Sequence, residues 1–409
     1  MRISTAKGKG ARVAIPAIVL AALLLLTACG PAAQPTEGEK LVRIGWVTAL
    51  TGPAAGPVQY AHWVIEDYIK YANDENLVPG VTLVLDWEDG RLDLVRELSA
   101  YRKMIDRGDP IIIGITDAAG FMDIVEKDQT PLVNMAICPE SIYPPSWTYC
   151  VFPLWEESFS VWAQWIVDNW KGDRPPRVGL VGPDEVSGPP SVERAKPYVE
   201  ELGMELLPSE LIPWVPLDTT TQLLRLNAQE ADYIYLCTIW SGAVPILKDA
   251  ERLGLMEDIQ FAGAEASLAQ GLLEAMGASI EGYTTPRSYP WAMEMDYPGV
   301  KLVHDMRKRY GGRLDFQGTE AQTLAFPVVA VEAVRRAVEN VGYENLDGKA
   351  VKEGLDSLRD FDVYGVQKIS YPPGDRRGTD TARIYVIQGG APVPVSEWMV
   401  VPMLMPEGE

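Results

Sequence analysis

Few side chains in this sequence are suited to covalent catalysis. Its two histidines, His62 and His304, do not stand beside a plausible nucleophile, so general acid-base chemistry has few participants. The sequence contains neither a G-x-S-x-G nucleophile elbow nor a glycine-rich phosphate loop of the form G-x-x-x-x-G-K-[ST] or G-x-G-x-x-G. There is no C-x-x-C pair, so we expect no zinc site. These residue types indicate binding rather than catalysis, with no cofactor and no metal.

The stretch 41–56, LVRIGWVTALTGPAAG, joins a short apolar run to a Gly/Pro/Ala loop. This pattern is typical of a buried strand that runs into a tight turn. Ligands of open α/β sheets sit at the carboxyl ends of strands. The loop is therefore a candidate binding site, with Thr51 and the backbone of 52–56 as candidate contacts.

The rest of the chain alternates strand and helix patterns in two successive units. Apolar runs such as 233–238 alternate with segments of helical periodicity such as 60–73 and 320–341. In the second unit the pattern also predicts a helix over 191–202 and a strand over 205–211. Strict alternation predicts an α/β architecture of parallel, doubly wound sheets.

Residues 1–28 have the three-part layout of a secretory signal, with a basic start, an apolar core and small residues before Cys29. The motif LTACG over 26–30 resembles a bacterial lipobox, which implies cleavage before Cys29 and a diacylglycerol on its thiol. The alternative, a transmembrane helix, needs roughly 20 apolar residues, more than this run offers. We therefore expect an extracytoplasmic chain that is anchored by lipid to the bacterial cell membrane.

Length and charge limit the architecture and the partners of the mature chain. Residues 29–40 are rich in small, polar and proline residues, as in a flexible tether. The chain beyond them, about 370 residues, is longer than one hydrophobic core usually serves, so two lobes are expected. The formal charge of −21 disfavours nucleic acid as a partner.

The remaining cysteines have two different settings. Cys138 and Cys150 flank a proline-rich loop, and an exported compartment permits a disulfide between them, although two separate thiols remain equally open. Cys237 lies in an apolar strand pattern, so we expect it to be a buried free thiol.

Several separated motifs together resemble the branched-chain amino-acid (Leu/Ile/Val)-binding class of ABC-importer solute-binding proteins. The resemblance covers 41 to about 403. It depends on the order and spacing of motifs that are individually loose, namely IGWVTALTGPAAG (44–56), WEDGR (87–91), IIIGITDAAG (111–120), PLVNMAICPES (131–141), RVGLVGPDEVSG (177–188), YIYLCTIWSGAVPILKDAERLGL (233–255), FAGAEA (261–266) and the terminal FDVYGV and GDRRGTDTARIYVI.

This resemblance implies a type I periplasmic-binding fold, in which two α/β lobes are joined by three crossovers. The implied first lobe comprises 41–153 and 287–362, and the second comprises 154–286 and 363–402. A ligand that contacts both lobes only when the cleft is shut stabilises the closed form, which a membrane permease recognises. We expect a monomer that releases its ligand to such a permease.

The resemblance also implies which lobe-one loops hold a ligand carboxylate. The matching positions are Asp117, Ala118 and Ala119 in one loop and Ile137 and Cys138 in the next. The hydroxyl side chains of the family are missing here, and Asp117 places a negative charge near the expected carboxylate. Asp117 has an alternative role as the cap of a turn or a helix N-terminus.

From the second lobe the resemblance implies an aromatic pair over the ligand and an acid for its ammonium. Trp240 matches one aromatic position, and Ser187 stands where the other aromatic is usual, which leaves more room. Glu265 matches the ammonium-binding acid. Trp240 has an alternative as an ordinary core tryptophan, and Glu265 has one as a solvated loop residue. For an ammonium ligand, Glu265→Gln is expected to weaken binding strongly and Trp240→Ala moderately.

The ligand expected from the sequence is a small polar metabolite, with branched-chain or related amino acids as the default. An amide, an aromatic acid or another solute is the alternative, because the family hydroxyls are lost. A ligand-binding sensory module for a membrane receptor needs the same closing cleft and is the alternative function. Adjacent permease and ATPase genes distinguish import from sensing.

Overall fold

The protein is described by a computed structural model over residues 40–52, 55–114, 118–135, 139–185, 188–311 and 315–404. The predicted signal, tether and lipidated Cys29 lie outside these residues. So do four of the predicted ligand contacts: Asp117, Ile137, Cys138 and Ser187.

The strands between residues 41 and 150 form a five-stranded parallel sheet. Its strands are β1 (Leu41–Thr48), β2 (Thr82–Asp89), β3 (Ile112–Gly114), β4 (Leu132–Asn134) and β5 (Thr148–Cys150), in the order β2-β1-β3-β4-β5. The helices between the strands are α1 (Ala55–Asp74), α2 (Leu94–Arg107) and α3 (Met122–Asp128). The predicted doubly wound parallel sheet is confirmed.

The second sheet has nine strands with a parallel centre. Strands β6 (Arg177–Pro183), β7 (Glu205–Leu206), β8 (Glu210–Ile212), β9 (Tyr233–Leu236), β10 (Gln260–Gly263) and β11 (Thr284–Arg287) are parallel where they pair. The antiparallel edge comprises β14 (Thr381–Gln388), β15 (Ala391–Pro394) and β16 (Met399–Val400). A separate two-stranded ribbon pairs β12 (Phe361–Asp362) with β13 (Lys368–Ile369).

Helices cover the second sheet and return to the first. Those following β5 are α4 (Trp155–Asn169), α5 (Pro189–Val192), α6 (Lys196–Glu201), α7 (Thr220–Ala228), α8 (Trp240–Arg252) and α9 (Gln270–Met276). After β11 come α10 (Pro298–Met306), α11 (Glu320–Val341) and α12 (Gly348–Asp356).

Hydrophobic cores lie on both faces of the second sheet. Successive residues of β9 alternate between them, since Ile234 belongs to the core that contains α8 and Tyr235 to the core that contains α4. The first sheet packs against α1 and α11, with Ile44, Val64 and Val329 buried in one core. Each sheet therefore has the buried apolar faces that the two expected lobes require.

Prolines divide two elements that the sequence pattern presents as continuous. The helix predicted over 191–202 is wrong as one element, because a 3-10 turn separates α5 from α6, where Pro197 lies in the first turn. The strand predicted over 205–211 is likewise two short strands, β7 and β8. Pro208 lies between them and has no N–H for a ladder hydrogen bond.

The chain passes between the two sheets three times, after β5, after β11 and before β14. The first and third crossovers run side by side. The backbone N–H of Cys150 donates to the carbonyl of Arg376 at 2.7 Å, and the hydroxyl of Tyr371 donates to the carbonyl of Cys150 at 2.6 Å. These bonds tie two of the three connections between the sheets.

The predicted boundaries of the two lobes remain predictions, and the third crossover refines one of them. Val363, Val366, Ile369 and Tyr371 are buried in the core of the first sheet. We propose that the third crossover begins after Tyr371 rather than after Asp362.

Among the described residues, no helix combines the length and the hydropathy that a membrane span requires.

Gly378 allows the close approach of the first and third crossovers. Its φ is +88°, and an added Cβ would lie 2.5 Å from the carbonyl oxygen of Cys150. Gly374 has a φ of +90° and open space around it, so it carries the same backbone strain without the steric contact. We expect Gly378→Ala to destabilise the chain by about 1–3 kcal/mol more than Gly374→Ala, since overpacking adds to strain. Equal melting temperatures for the two variants would disprove the close approach.

Candidate functional site

Each sheet reverses its strand order at one point, and such points are the usual ligand sites of open α/β sheets. In the first sheet the chain leaves β1 for β2 on one side and returns to β3 on the other. In the second sheet the corresponding point lies between β6 and β9. The candidate site is therefore built from the loops that follow β1 and β3 in one sheet and β6 and β9 in the other.

The predicted ligand contacts that are described all follow the carboxyl ends of parallel strands. Thr51 follows β1, Ala119 follows β3, Trp240 follows β9 and Glu265 follows β10. Ala118 begins the 3-10 turn Ala118–Phe121 next to Ala119. The arrangement agrees with the sequence argument for these positions, and their contact with a ligand remains a prediction.

Thr51 is exposed and already hydrogen-bonded. Its hydroxyl donates to Oδ2 of Asp89 at 2.6 Å, which joins the loop after β1 to the end of β2. The carboxylate of Asp89 in turn lies 3.8 Å from Nε of Arg91. A ligand contact by the Thr51 hydroxyl would require it to leave Asp89.

Trp240 opens helix α8 and is partly buried. Its six-membered ring packs against α9, since an added Cβ on Gly271 would lie 2.7 Å from Cζ3 of Trp240. The indole Nε1 is buried without an acceptor. The hydroxyls of Thr238 and Ser241 are also buried without a partner. The start of α8 therefore gathers three unpaired polar groups beside the reversal point, and Trp240 both packs in the core and borders the candidate site.

Glu265 is only 5% exposed and has partners from two elements. Its Oε1 accepts from Ser158 at 3.1 Å, and its Oε2 accepts from Ser288 at 3.2 Å. Burial raises the pKa of Glu265 to about 7, while the charge of Arg287 and the two serine hydrogen bonds act in the opposite direction. Glu265 is thus a buried, hydrogen-bonded acid rather than a solvated loop residue.

Arg287 is the main functional candidate that the sequence reasoning missed. It ends β11 and is fully buried. Its guanidinium donates to the carbonyls of Leu268 at 3.1 Å and Gly318 at 2.5 Å, so it joins the loop after β10 to the loop before α11. The sequence of β11, TTPR, has no apolar run, so no local pattern marked Arg287 as a buried residue.

Aromatic rings complete the environment of Arg287. The guanidinium carbon lies 4.4 Å from the ring centre of Tyr289 and 4.9 Å from that of Trp291. Cation–π contact of this kind favours a desolvated arginine. The charge of Arg287 also acts on Glu320. Burial raises the pKa of Glu320, while backbone hydrogen bonds and the charge of Arg287 oppose that rise. The charge of Arg287 thus acts on the pKa of two buried acids, Glu265 and Glu320.

Two cysteines, Cys150 and Cys237, lie within the described residues, and both are buried. The expectation of a buried free thiol at Cys237 is confirmed. Cys150 is buried, with Sγ 3.2 Å from the carbonyl oxygen of Phe152. Its proposed disulfide with Cys138 stays a prediction. Over the described part of the chain, no group of three or more His, Cys, Asp or Glu side chains is arranged to hold a metal ion.

Sequence comparison identifies the class of protein that this fold and site define. A profile described as periplasmic binding protein matches residues 41–391, so the chain belongs to the periplasmic binding protein family. More particularly, the expectation of a periplasmic binding protein is confirmed. A search of curated proteins found no match.

Solved structures of this fold include proteins with different ligands. A branched-chain amino acid ABC transporter protein from Thermus thermophilus with bound valine has 24% identity and a TM-score of 0.82, covering 90% of this chain and 98% of its own. A fatty acid ABC transporter substrate-binding protein from Thermomonospora curvata has 19% identity and a TM-score of 0.77, with 90% and 95% covered. A solute-binding protein from Rhodopseudomonas palustris in complex with 3,4-dihydroxy benzoic acid has 16% identity and a TM-score of 0.73, with 89% and 98% covered. At these identities the likeness establishes the fold alone.

Proposed function

We propose that this chain is the lipid-anchored, extracytoplasmic solute-binding component of an ABC importer. It captures one small polar solute between its two lobes and delivers it to a membrane permease. The observation that carries this proposal is the pair of strand-order reversals, one in each sheet, with buried unpaired polar groups at the second. It acts by binding, and no bond is made or broken.

The anchor and the monomeric state belong to the same proposal. The lipobox-like LTACG motif supports diacylglycerol on Cys29. Mass spectrometry of the chain purified from membranes tests this directly, because an unmodified Cys29 contradicts it. Sedimentation of the same sample tests the monomer.

Solute capture is tested by titration of the full chain, exported by a bacterial host and purified in detergent. Calorimetry against amino acids, amides, carboxylic acids and polyols is expected to give saturable heat for one class, with one site per chain. Closure of the lobes on the ligand predicts a smaller radius of gyration in X-ray scattering with that ligand present. Heat without compaction would contradict the closing cleft, and silence across the whole panel would contradict solute capture.

A further inference from the structure

The start of α8 presents hydrogen-bonding groups that the protein itself does not satisfy. Thr238 is 1% exposed, and its hydroxyl lacks a partner, as do Nε1 of Trp240 and the hydroxyl of Ser241. An orphaned polar group costs the folded chain roughly 1–3 kcal/mol, so three such groups near one helix end favour a water molecule or a ligand as partner. Helix α8 runs for 13 residues, and no side chain caps its N-terminus. The N–H of Gly242 donates to the carbonyl of Ile239 at 2.9 Å, so only the first N–H groups of the turn add to the local donors.

These groups follow β9 at the reversal point of the second sheet. Strand β9 pairs with β6 through Leu236 and Val181, and α8 begins four residues beyond that pair. The Thr238 hydroxyl points at the first turn of α8, because an added Cβ on Gly242 would lie 2.5 Å from it. Thr238, Trp240 and Ser241 thus lie at the N-terminal end of one helix, where a ligand of this fold is expected.

The donors at the start of α8 favour a ligand that accepts hydrogen bonds. An indole N–H donates and cannot accept, and the N-terminus of a helix carries the positive end of its dipole. The two hydroxyls could accept from an ammonium, but the indole N–H and the helix N-terminus could not, so an ammonium is disfavoured here. A carboxylate brings acceptors and a negative charge, and its hydrogen bonds to N–H and O–H groups are charge-assisted.

The acid at the neighbouring strand end does not call for an ammonium. Gly263 of β10 pairs with Leu236 of β9, so Glu265 and Thr238 each stand two residues beyond the same pair. Glu265 already accepts from Ser158 and Ser288, and burial raises its pKa to about 7 although the charge of Arg287 acts in the opposite direction. A carboxyl whose pKa is raised by burial is held more readily in its neutral form, and a neutral, hydrogen-bonded Glu265 does not call for an ammonium.

We propose that the ligand is an amine-free carboxylic acid whose carboxylate binds at the start of α8, to Nε1 of Trp240 and the hydroxyls of Ser241 and Thr238. This rests on the proposed function, since it identifies the solute captured by the same site. It replaces the default amino-acid ligand and places the charged group of the solute on the second lobe rather than the first.

The test compares ligands that share a carbon skeleton and differ only in charged groups. One set is leucine, 4-methylpentanoate and 3-methylbutylamine, and the other is phenylalanine, 3-phenylpropanoate and 2-phenylethylamine. Calorimetry on the full chain in detergent is expected to give at least one acid a tenfold or greater advantage over its amino acid, with no heat from either amine. That advantage corresponds to about 1.4 kcal/mol.

The outcomes separate this inference from the proposed function. An amino acid or an amine that binds more tightly than its matching acid, with compaction in X-ray scattering, overturns the inference and leaves solute capture intact. Absence of heat from all six compounds overturns the amine-free acid, and absence across the wider panel as well overturns both.

Variants at the start of α8 test the placement of the carboxylate. Trp240→Phe removes the indole donor and keeps an aromatic ring, and Ser241→Ala removes a hydroxyl with little change of shape. Each is expected to weaken the acid about tenfold, the effect of one charge-assisted hydrogen bond. Trp170→Phe is the matched control, because the indole of Trp170 donates to the carbonyl of Arg174. If Trp240→Phe lowers the melting temperature, Ser241→Ala decides; unchanged affinity in Ser241→Ala then overturns the placement.

Discussion

Replacement of Arg287 by methionine is expected to lower the free energy of unfolding by about 3–5 kcal/mol, the usual cost of removing one member of a buried charge cluster. The variant leaves the carbonyls of Leu268 and Gly318 without their donor, and it leaves Glu265 and Glu320 buried without a cation. Denaturant titration followed by tryptophan fluorescence measures the loss.

The matched control removes an arginine from an exposed ion pair. Arg309 is 51% exposed and pairs with Asp74 and Glu75, which are 42% and 47% exposed, so Arg309→Met is expected to cost less than about 1 kcal/mol. Combining Arg287→Met with Glu265→Gln should cost less than the sum of the single changes, because the neutral glutamine no longer needs the cation. Equal small losses at both arginines, or strict additivity, would show that Arg287 does not compensate Glu265.

Glu156→Gln is expected to change how stability depends on pH. Glu156 lies in the first turn of α4 and is fully buried, with Oε2 accepting from Ser191 at 2.9 Å. Burial raises its pKa from 4.5 to about 8. Between these values the folded chain holds a proton that the unfolded chain releases, so rising pH favours unfolding across this window. The wild-type chain should therefore lose stability between pH 5 and pH 8 through this group, and the glutamine variant should lose less.

Melting temperatures of the two proteins at pH 5 and pH 8 measure this difference. The gain of the variant over the wild type should be larger at pH 8, where the buried carboxyl of the wild type begins to ionise. Exposed Glu201 on α6 provides the control for removal of one negative charge, as Glu201→Gln. Curves for Glu156→Gln and wild type that stay parallel across the window would refute the buried proton.

The alternation of elements could be predicted because each core face has its own period in the sequence. The long helix over 320–341 is found with those bounds, since its apolar residues continue at helical spacing for its whole length. The helix predicted over 191–202 and the strand predicted over 205–211 failed at Pro197 and Pro208. There the apolar pattern continues but the backbone loses a donor.

The positions of residues in the candidate site were easier to predict from the sequence than their hydrogen-bond partners. Trp240 and Glu265 could be placed because they directly follow apolar strands, and the carboxyl ends of parallel strands meet at one edge. The partners of Glu265 could not, because Ser158 lies 107 residues away and no local pattern connects the two. Burial of Arg287 depends likewise on a loop 31 residues further along the chain.

The three crossovers also determine what a break in the chain can do. The turn at Pro373 and Gly374 is exposed within the third crossover, the natural place for a protease to cut. A cut there leaves the two sheets covalently joined through the other two crossovers, with β14 held by its pairing to β11. Because the strand order interleaves the ends of the chain with its middle, no single cut within the crossovers releases a whole lobe. Two lobes connected in this way stay in one molecule after a single proteolytic cut, whereas the same cut would separate two domains joined by a single linker.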